Sequence, residues 1–317
     1  MTKSQAILEI KKRFNINAIY AHRVFLLADK KNLIEDSSRI IAEKPKPFVK
    51  WVGGKRQLLA QFRLMDLYPP EKFDIKNGRY FEPFVGGGAV FFDLLPQTAF
   101  LSDLNNELVV TYNVIKNDVE NLIKSLKKHK LDKEYFLKIR AQNPEKLSDL
   151  NIASRFIYLN RTCFNGMYRV NSKGGFNVPF GKYTNPLICD ENNLRKASRA
   201  LKNVEIKKQD YKEVLKKAKK GDFIYFDPPY YPVSKTASFT SYTSEGFFDK
   251  EQIELRDTFM ELHKRGCFVM LSNSDTPFIN KIYSEPKLRI TKVQAGRAIN
   301  SDASKRGKIT EVLVTNY

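Results

Sequence analysis

Apolar residues in the first 44 positions recur at helical spacing in SQAILEIKKRF and AIYAHRVFLLADKKNLIEDSSRIIAE, which predicts an N-terminal helical extension over 1–44. KPKPF then breaks the pattern and marks a boundary. Beyond it the period changes. Short apolar runs of strand type occur at 79–84, 98–103, 204–210, 222–227, 267–273, 288–295 and 311–317, several of them separated by stretches of helical spacing. The clearest helix is DKEQIELRDTFMELHKRG, where Asp249 and Gln252 have the spacing of a capping box and Gly266 supplies a C-terminal stop. Strands alternating with helices predict an α/β, doubly wound, mostly parallel seven-stranded sheet. The last two runs are joined only by the polar GRAINSDASKRGK, which predicts a closing hairpin with one antiparallel strand. The interval 112–200 breaks the alternation, being helical at first and then turn-rich and basic. It predicts an inserted, mainly helical domain that splits the sheet domain into 45–111 and 201–317.

Charge narrows the class of partner. The 317 residues carry 55 Lys and Arg against 35 Asp and Glu, a net charge of +20, which is more than solubility requires and points to a polyanion. Apolar residues at 42% exclude a disordered composition. The three cysteines (Cys163, Cys189, Cys267) and three histidines (His22, His129, His263) are scattered, with neither a disulfide framework nor a zinc spacing, so no metal site is expected. No stretch is long and apolar enough to span a bilayer, and the N-terminus lacks an apolar signal core. These features predict a protein of the reducing cytoplasm with no membrane partner.

Three strand ends carry residues with chemical potential, since ligands of open α/β sheets bind beyond the carboxyl ends of the strands. The first runs into EPFVGGGAVFFDLL, where Gly86, Gly87 and Gly88 allow a tight turn and close approach of backbone to a ligand. The spacing is not GxGxxG, so a dinucleotide fits poorly; a plain tight turn is the other reading. The second ends in LSDLNNEL. Asp103 stands about twenty residues after the glycines, where an acid accepts from both hydroxyls of a ribose or simply caps the next helix. The fourth ends in Asp227-Pro228-Pro229-Tyr230. Two prolines make a rigid corner that presents a carboxylate, a carbonyl and an aromatic face. An exocyclic amino group needs two acceptors and a flat base needs a stacking surface, and this corner offers all three.

FEPFVGGGAVF, LSDLN and DPPY, in this order with an insertion between the second and third, resemble S-adenosylmethionine-dependent DNA adenine-N6 methyltransferases of the α group, the Dam-like D12 class. KPFVKWVGGKRQLL (46–59) resembles that family's first cofactor motif, and YLNRTCFNGMYRVNSKGGFNVPFGKY (158–183) its target-recognition segment for GATC and closely related sites. The resemblance covers about 45 to 317 and implies a Rossmann-like catalytic domain with the insert as target-recognition domain. By it Trp51, Lys55, Phe84, Gly86, Gly88, Asp103, Asp210 and Asp227 would hold S-adenosylmethionine. Asp227, Pro228, Pro229 and Tyr230 would be catalytic, and Asn165, Met167, Arg169, Asn171 and Pro179 would read DNA. Arg169 matches the guanine-reading arginine, and Met167 stands where leucine is more usual. The loop YYPVSKTASFTSYTSEGFF (230–248) is expected to order around flipped DNA. The implied partners are double-stranded DNA and, functionally, a cognate restriction endonuclease, unless the protein is a solitary methylase. A monomer or weak dimer is expected. The rival readings are the same chemistry at another GA-containing site, transfer to cytosine N4 or to RNA, and a catalytically silent DNA-binding protein.

Overall fold

The computed structural model describes residues 44–172, 174–233, 247–296 and 308–317. The helices expected over most of 1–44, the centre of the loop after the 227–230 corner (234–246) and the link between the last two strands (297–307) lie outside the described residues.

Seven strands form one sheet: β1 (Arg79–Glu82), β2 (Thr98–Asp103), β3 (Val204–Lys208), β4 (Phe223–Phe226), β5 (Phe268–Ser274), β6 (Arg289–Gly296) and β7 (Lys308–Thr315). Their spatial order is β3-β2-β1-β4-β5-β7-β6. The β3-β2-β1-β4-β5 ladder is parallel throughout, and β7 runs antiparallel to both β5 and β6. The expected single antiparallel strand is therefore present, inserted between its neighbours. The chain reverses its winding between β1 and β4, and at such a switch point the strand ends diverge and leave a crevice.

The central strand β4 reads FIYF and is buried at every position, as a parallel strand covered on both faces must be. Its alternation sorts the core into two layers. Phe223 and Tyr225 face a cluster that includes Tyr80, Leu101, Ile206 and Met270, whereas Ile224 and Phe226 face one that includes Phe81, Val269 and Leu271. Over the first face lie α1 (Leu59–Leu64), α2 (Ala89–Leu94), α3 (Asn106–Asn117), α4 (Val119–Leu126), α6 (Asp149–Thr162) and α7 (Glu191–Leu201); α8 (Val214–Lys217), α9 (Asp249–Lys264) and α10 (Pro277–Ile282) cover the second. Truncating Ile224 to Ala in such packing costs about 2–5 kcal/mol. A third, smaller cluster joins Phe136 of α5 (Lys133–Ala141) to Tyr158, Leu159, Cys163, Phe176 and Val178. It forms the base of the turn-rich segment after α6.

One helix start differs from expectation. The cap of α9 is Phe248, whose N–H donates to the Glu251 carboxylate at 2.9 Å, and not the Asp249–Gln252 pair. Gln252 is fully buried and committed elsewhere, donating to the Pro229 carbonyl at 3.0 Å. At the other end Gly266, with φ +77°, terminates α9 as expected.

Candidate active site

The carboxyl ends of β1, β2 and β4 open onto a cleft of about 3610 Å³. Its first wall is the glycine turn after β1. Gly86 and Gly88 take φ +46° and +67°, conformations that disfavour any side chain. Space dictates glycine as well. A Cβ on Gly86 would stand 2.5 Å from the Trp51 indole nitrogen, and one on Gly88 would stand 2.5 Å from the Tyr112 hydroxyl. That hydroxyl donates to the Gly86 carbonyl at 3.0 Å and pins the turn from below. Trp51 in turn stacks on Tyr168, ring centroids 6.1 Å apart.

Asp103 ends β2 beside this turn. One of its oxygens accepts from the Gly86 N–H at 3.1 Å and the other from the Asn105 N–H at 2.9 Å. Burial raises its pKa and these backbone donors hold it down. Each oxygen keeps a lone pair, so a diol can still be accepted. The helix-cap reading is thus set aside: Asn105 caps α3, accepting from the Leu108 N–H at 3.1 Å. Phe84 stacks on Tyr211 at 5.3 Å, and both line the cleft. Asp210, exposed at the end of β3, accepts from the Lys212 N–H at 2.8 Å and lines the same cleft.

The Asp227-Pro228-Pro229-Tyr230 corner forms the second wall. Lys55 is almost wholly buried, and its ammonium lies 2.9 Å from Asp227 Oδ1. The same ammonium donates to the Gly53 carbonyl at 2.5 Å and sits 4.7 Å above the centre of the Tyr230 ring. Burial pushes the Asp227 carboxyl up to about 6, against the pull of Lys55. Among the described residues no donor reaches the Pro228 carbonyl. The corner is braced from behind. Gln252 holds the Pro229 carbonyl, Asn273 holds Gln252 at 2.9 Å and accepts from the Tyr231 N–H at 3.0 Å, and Ser274 donates to the Tyr231 carbonyl at 2.6 Å. The Tyr230 hydroxyl donates to Glu311 at 2.8 Å.

The segment after α6 carries the expected recognition residues. Asn165 takes φ +54° and Met167 packs half-buried on the third cluster; both line the cleft, as does exposed Asn171. Arg169 and Pro179 do not line it. Arg169 is exposed and donates through Nε to Asn177 at 2.7 Å, and the Pro179 carbonyl accepts from the Phe164 N–H at 2.8 Å.

Several residues of the site escape a reading of the sequence. Glu82, at the end of β1, is buried and accepts from the Tyr80 hydroxyl and the Phe91 N–H, and burial raises its carboxyl to about 8. Asn160 of α6 clasps both backbone groups of Lys50 at 2.8 Å each. Arg155, 2% exposed, donates to Glu107 at 2.6 Å, and the Tyr168 hydroxyl donates to the second oxygen of that carboxylate at 2.9 Å. The one local signal for any of them is a charged residue standing within an apolar run.

A switch-point cleft lined by a glycine turn, a second-strand acid and a proline-fixed carboxylate fits an α/β methyltransferase, and comparison with known proteins narrows it. Residues 51–299 match the family described as D12 class N6 adenine-specific DNA methyltransferase. The chain is 45% identical over 280 residues to the type II methyltransferase M1.LlaDCHI of Lactococcus lactis subsp. cremoris, covering 86% of this chain and 95% of that one. It is 44% identical over 290 residues to the type II methyltransferase M.MjaIII of Methanocaldococcus jannaschii, covering 86% and 99%. It is 31% identical over 275 residues to the DNA adenine methylase of Escherichia coli K12, covering 86% and 95%. The chain belongs to the D12 class of N6 adenine-specific DNA methyltransferases.

Proposed function

We propose that the protein transfers the methyl group of S-adenosylmethionine to N6 of an adenine flipped out of duplex DNA, within GATC. The observation that carries this reading is the corner at 227–230. There an ionisable carboxylate, a carbonyl without a partner among the described residues and an aromatic ring converge at the switch point. The amino group of adenine has a lone pair delocalised into its ring and is a poor nucleophile. The Asp227 carboxylate and the Pro228 carbonyl would each accept one amino hydrogen and draw that lone pair back onto N6, stabilising charge as it develops. Pro229 fixes the corner and Tyr230 would stack on the base. A base paired inside a duplex cannot reach so recessed a corner, which is why flipping belongs to the reading.

S-adenosylmethionine supplies an electrophilic methyl on a sulfonium. The site has features that suit it: a glycine turn at Gly86 and Gly88 that a Cβ would fill, a half-buried Asp103 with lone pairs to spare for a ribose, and the Phe84–Tyr211 stack beside Asp210. Trp51 lies against that turn, and Lys55 stands at the second wall beside Asp227. In the transfer N6 donates its pair to the methyl carbon and the C–S pair stays on sulfur, leaving S-adenosylhomocysteine. The proton then shed by N6 passes to solvent. Neither a metal nor a nucleophilic cysteine enters this chemistry.

Target reading falls to the segment 158–183 within the 112–200 insert. Arg169 presents two donors suited to guanine O6 and N7, and Asn165, Met167, Asn171 and Pro179 share its hairpin. Relatives named DNA adenine methylase and type II methyltransferase support adenine in DNA as the target. The choice of GATC rests on the resemblance of segment 158–183, and a restriction–modification setting in the cytoplasm, with a cognate endonuclease as functional partner, belongs to the same reading. Sequencing of modified bases in plasmid DNA treated with the protein tests activity, base and site together. N6-methyladenine confined to GATC is expected. Methylated cytosine overturns the base assignment, and an unchanged signal on plasmids lacking GATC overturns the site.

A further inference from the structure

Glu311 stands in the middle of β7, in register with Ser274 of β5 and Val293 of β6. It is 8% exposed. Among the described residues no lysine, arginine or histidine pairs with it, and its partner is the hydroxyl of Tyr230, 2.8 Å from Oε2. A buried carboxylate without a cation is costly unless it is strongly hydrogen-bonded. Here the hydrogen bond leads straight to the ring that lines the catalytic corner. The Lys55 ammonium lies 4.7 Å over that ring and 2.9 Å from Asp227. Tyr230 is thus held at its rim by an anion and met on its face by a cation.

We infer that Glu311 is a positioning residue for methyl transfer. By accepting the Tyr230 hydroxyl it fixes the tilt of the ring and enriches its π face, which then stabilises positive charge on the adenine stacked against it. The inference rests on the reading of Tyr230 as the stacking surface. The chemistry is that of a phenol donating to a carboxylate, which moves electron density into the ring and strengthens its attraction for a cation. Adenine becomes cationic once N6 has bonded the methyl carbon and before it sheds its proton. Charge that appears only during transfer is where such a face contributes to rate and not to ground-state binding. Glu311 acts through Tyr230, whose hydroxyl it accepts at 2.8 Å.

The test uses the full chain, a duplex with a single target adenine and radiolabelled S-adenosylmethionine. Glu311→Gln keeps an acceptor for the hydroxyl and removes the charge. We expect its single-turnover rate to fall about tenfold, with cofactor affinity, melting temperature and the fluorescence of 2-aminopurine at the target position within about twofold of wild type. Glu311→Leu also frees the ring and lowers the 2-aminopurine signal. Tyr230→Phe removes the hydroxyl, and combining it with Glu311→Gln slows transfer no further, because both changes delete one interaction. A wild-type rate in Glu311→Gln or in Tyr230→Phe, or effects that multiply in the double variant, overturns the inference. Should the glutamine variant melt early, the rate of Tyr230→Phe decides. Absence of N6-methyladenine with the wild-type protein sinks the underlying reading instead, so the two failures are distinct.

Discussion

Lys55 Nζ and Asp227 Oδ1 lie 2.9 Å apart, with the lysine almost fully buried and a fifth of the aspartate side chain, 21%, open to the cleft. The pair sets the protonation state of the corner. Burial pushes the Asp227 carboxyl up to about 6 and Lys55 restrains it. In the proposed reaction Asp227 accepts an amino hydrogen from N6, and it stabilises the developing positive charge there effectively only when ionised. In the free enzyme kcat/KM for DNA is therefore expected to fall about tenfold per pH unit as the pH drops below about 6. Lys55→Met removes the restraint and moves this acid limb to higher pH. A limb that stays in place, or moves down, shows that another group governs it.

The glycine turn gives a second expectation. Gly86→Ala combines a positive φ with a clash against the Trp51 indole, where the Cβ has 2.5 Å. Gly221 has φ +86° and nothing within 4 Å of its Cβ, so Gly221→Ala isolates the backbone strain, about 1–2 kcal/mol. Calorimetry with S-adenosylmethionine is expected to show at least tenfold weaker binding for Gly86→Ala and unchanged binding for Gly221→Ala. Equal affinities in both variants refute a role for the turn in holding the cofactor.

Glu82 predicts how stability varies with pH. Its carboxyl is ordinary, near 4.5, when unfolded and about 8 when buried against Tyr80 and Phe91. Between these values the folded state holds a proton that the unfolded chain has lost. Stability thus declines as pH rises from about 4.5 through about 8, at up to about 1.4 kcal/mol per pH unit, and levels off above. Glu82→Gln carries no such proton and is expected to flatten that decline in chemical denaturation at pH 6, 7 and 8. Parallel curves for the two proteins count against a protonated Glu82.

Arg155 and Glu107 form an ion pair sealed inside the molecule, 2% and 9% exposed. Arg155 also donates to the carbonyls of Ile139 and Arg140. Arg155→Leu strands a buried carboxylate and is expected to cost about 3–5 kcal/mol, whereas Arg155→Leu with Glu107→Leu recovers part of the loss. Urea unfolding of the three proteins checks the order. A double variant no more stable than Arg155→Leu alone contradicts the account.

Much of the frame is legible from period alone. The run at 98–103 is β2 residue for residue, and Gly266 ends α9 because a left-handed residue there suits glycine. Asp103 and the 227–230 corner are legible as short motifs at strand ends, although the groups that hold them, Gly86, Lys55 and Glu311, come from elsewhere in the chain. Glu311, Glu107 and Asn160 are not. Their partners lie 81, 48 and 110 residues away, and glutamate in a sequence reads as surface until the fold buries it. The start of α9 shows the same effect in reverse. Gln252 has the right spacing for a cap, yet the fold spends it on the carbonyl of Pro229. Arg169, expected to read DNA, rests on Asn177 outside the cleft lining, a choice of partner that spacing does not encode.

The chain has a single tryptophan, and it is Trp51. The indole lies against Gly86 on one side and is stacked at 6.1 Å on Tyr168, next to Arg169, on the other. Excited at the red edge of tyrosine absorption, the protein emits from one residue placed between the candidate cofactor wall and the candidate recognition segment. Its brightness and colour therefore form a native optical gauge, with no label attached, on which cofactor and DNA arrivals can be timed separately in a stopped-flow instrument.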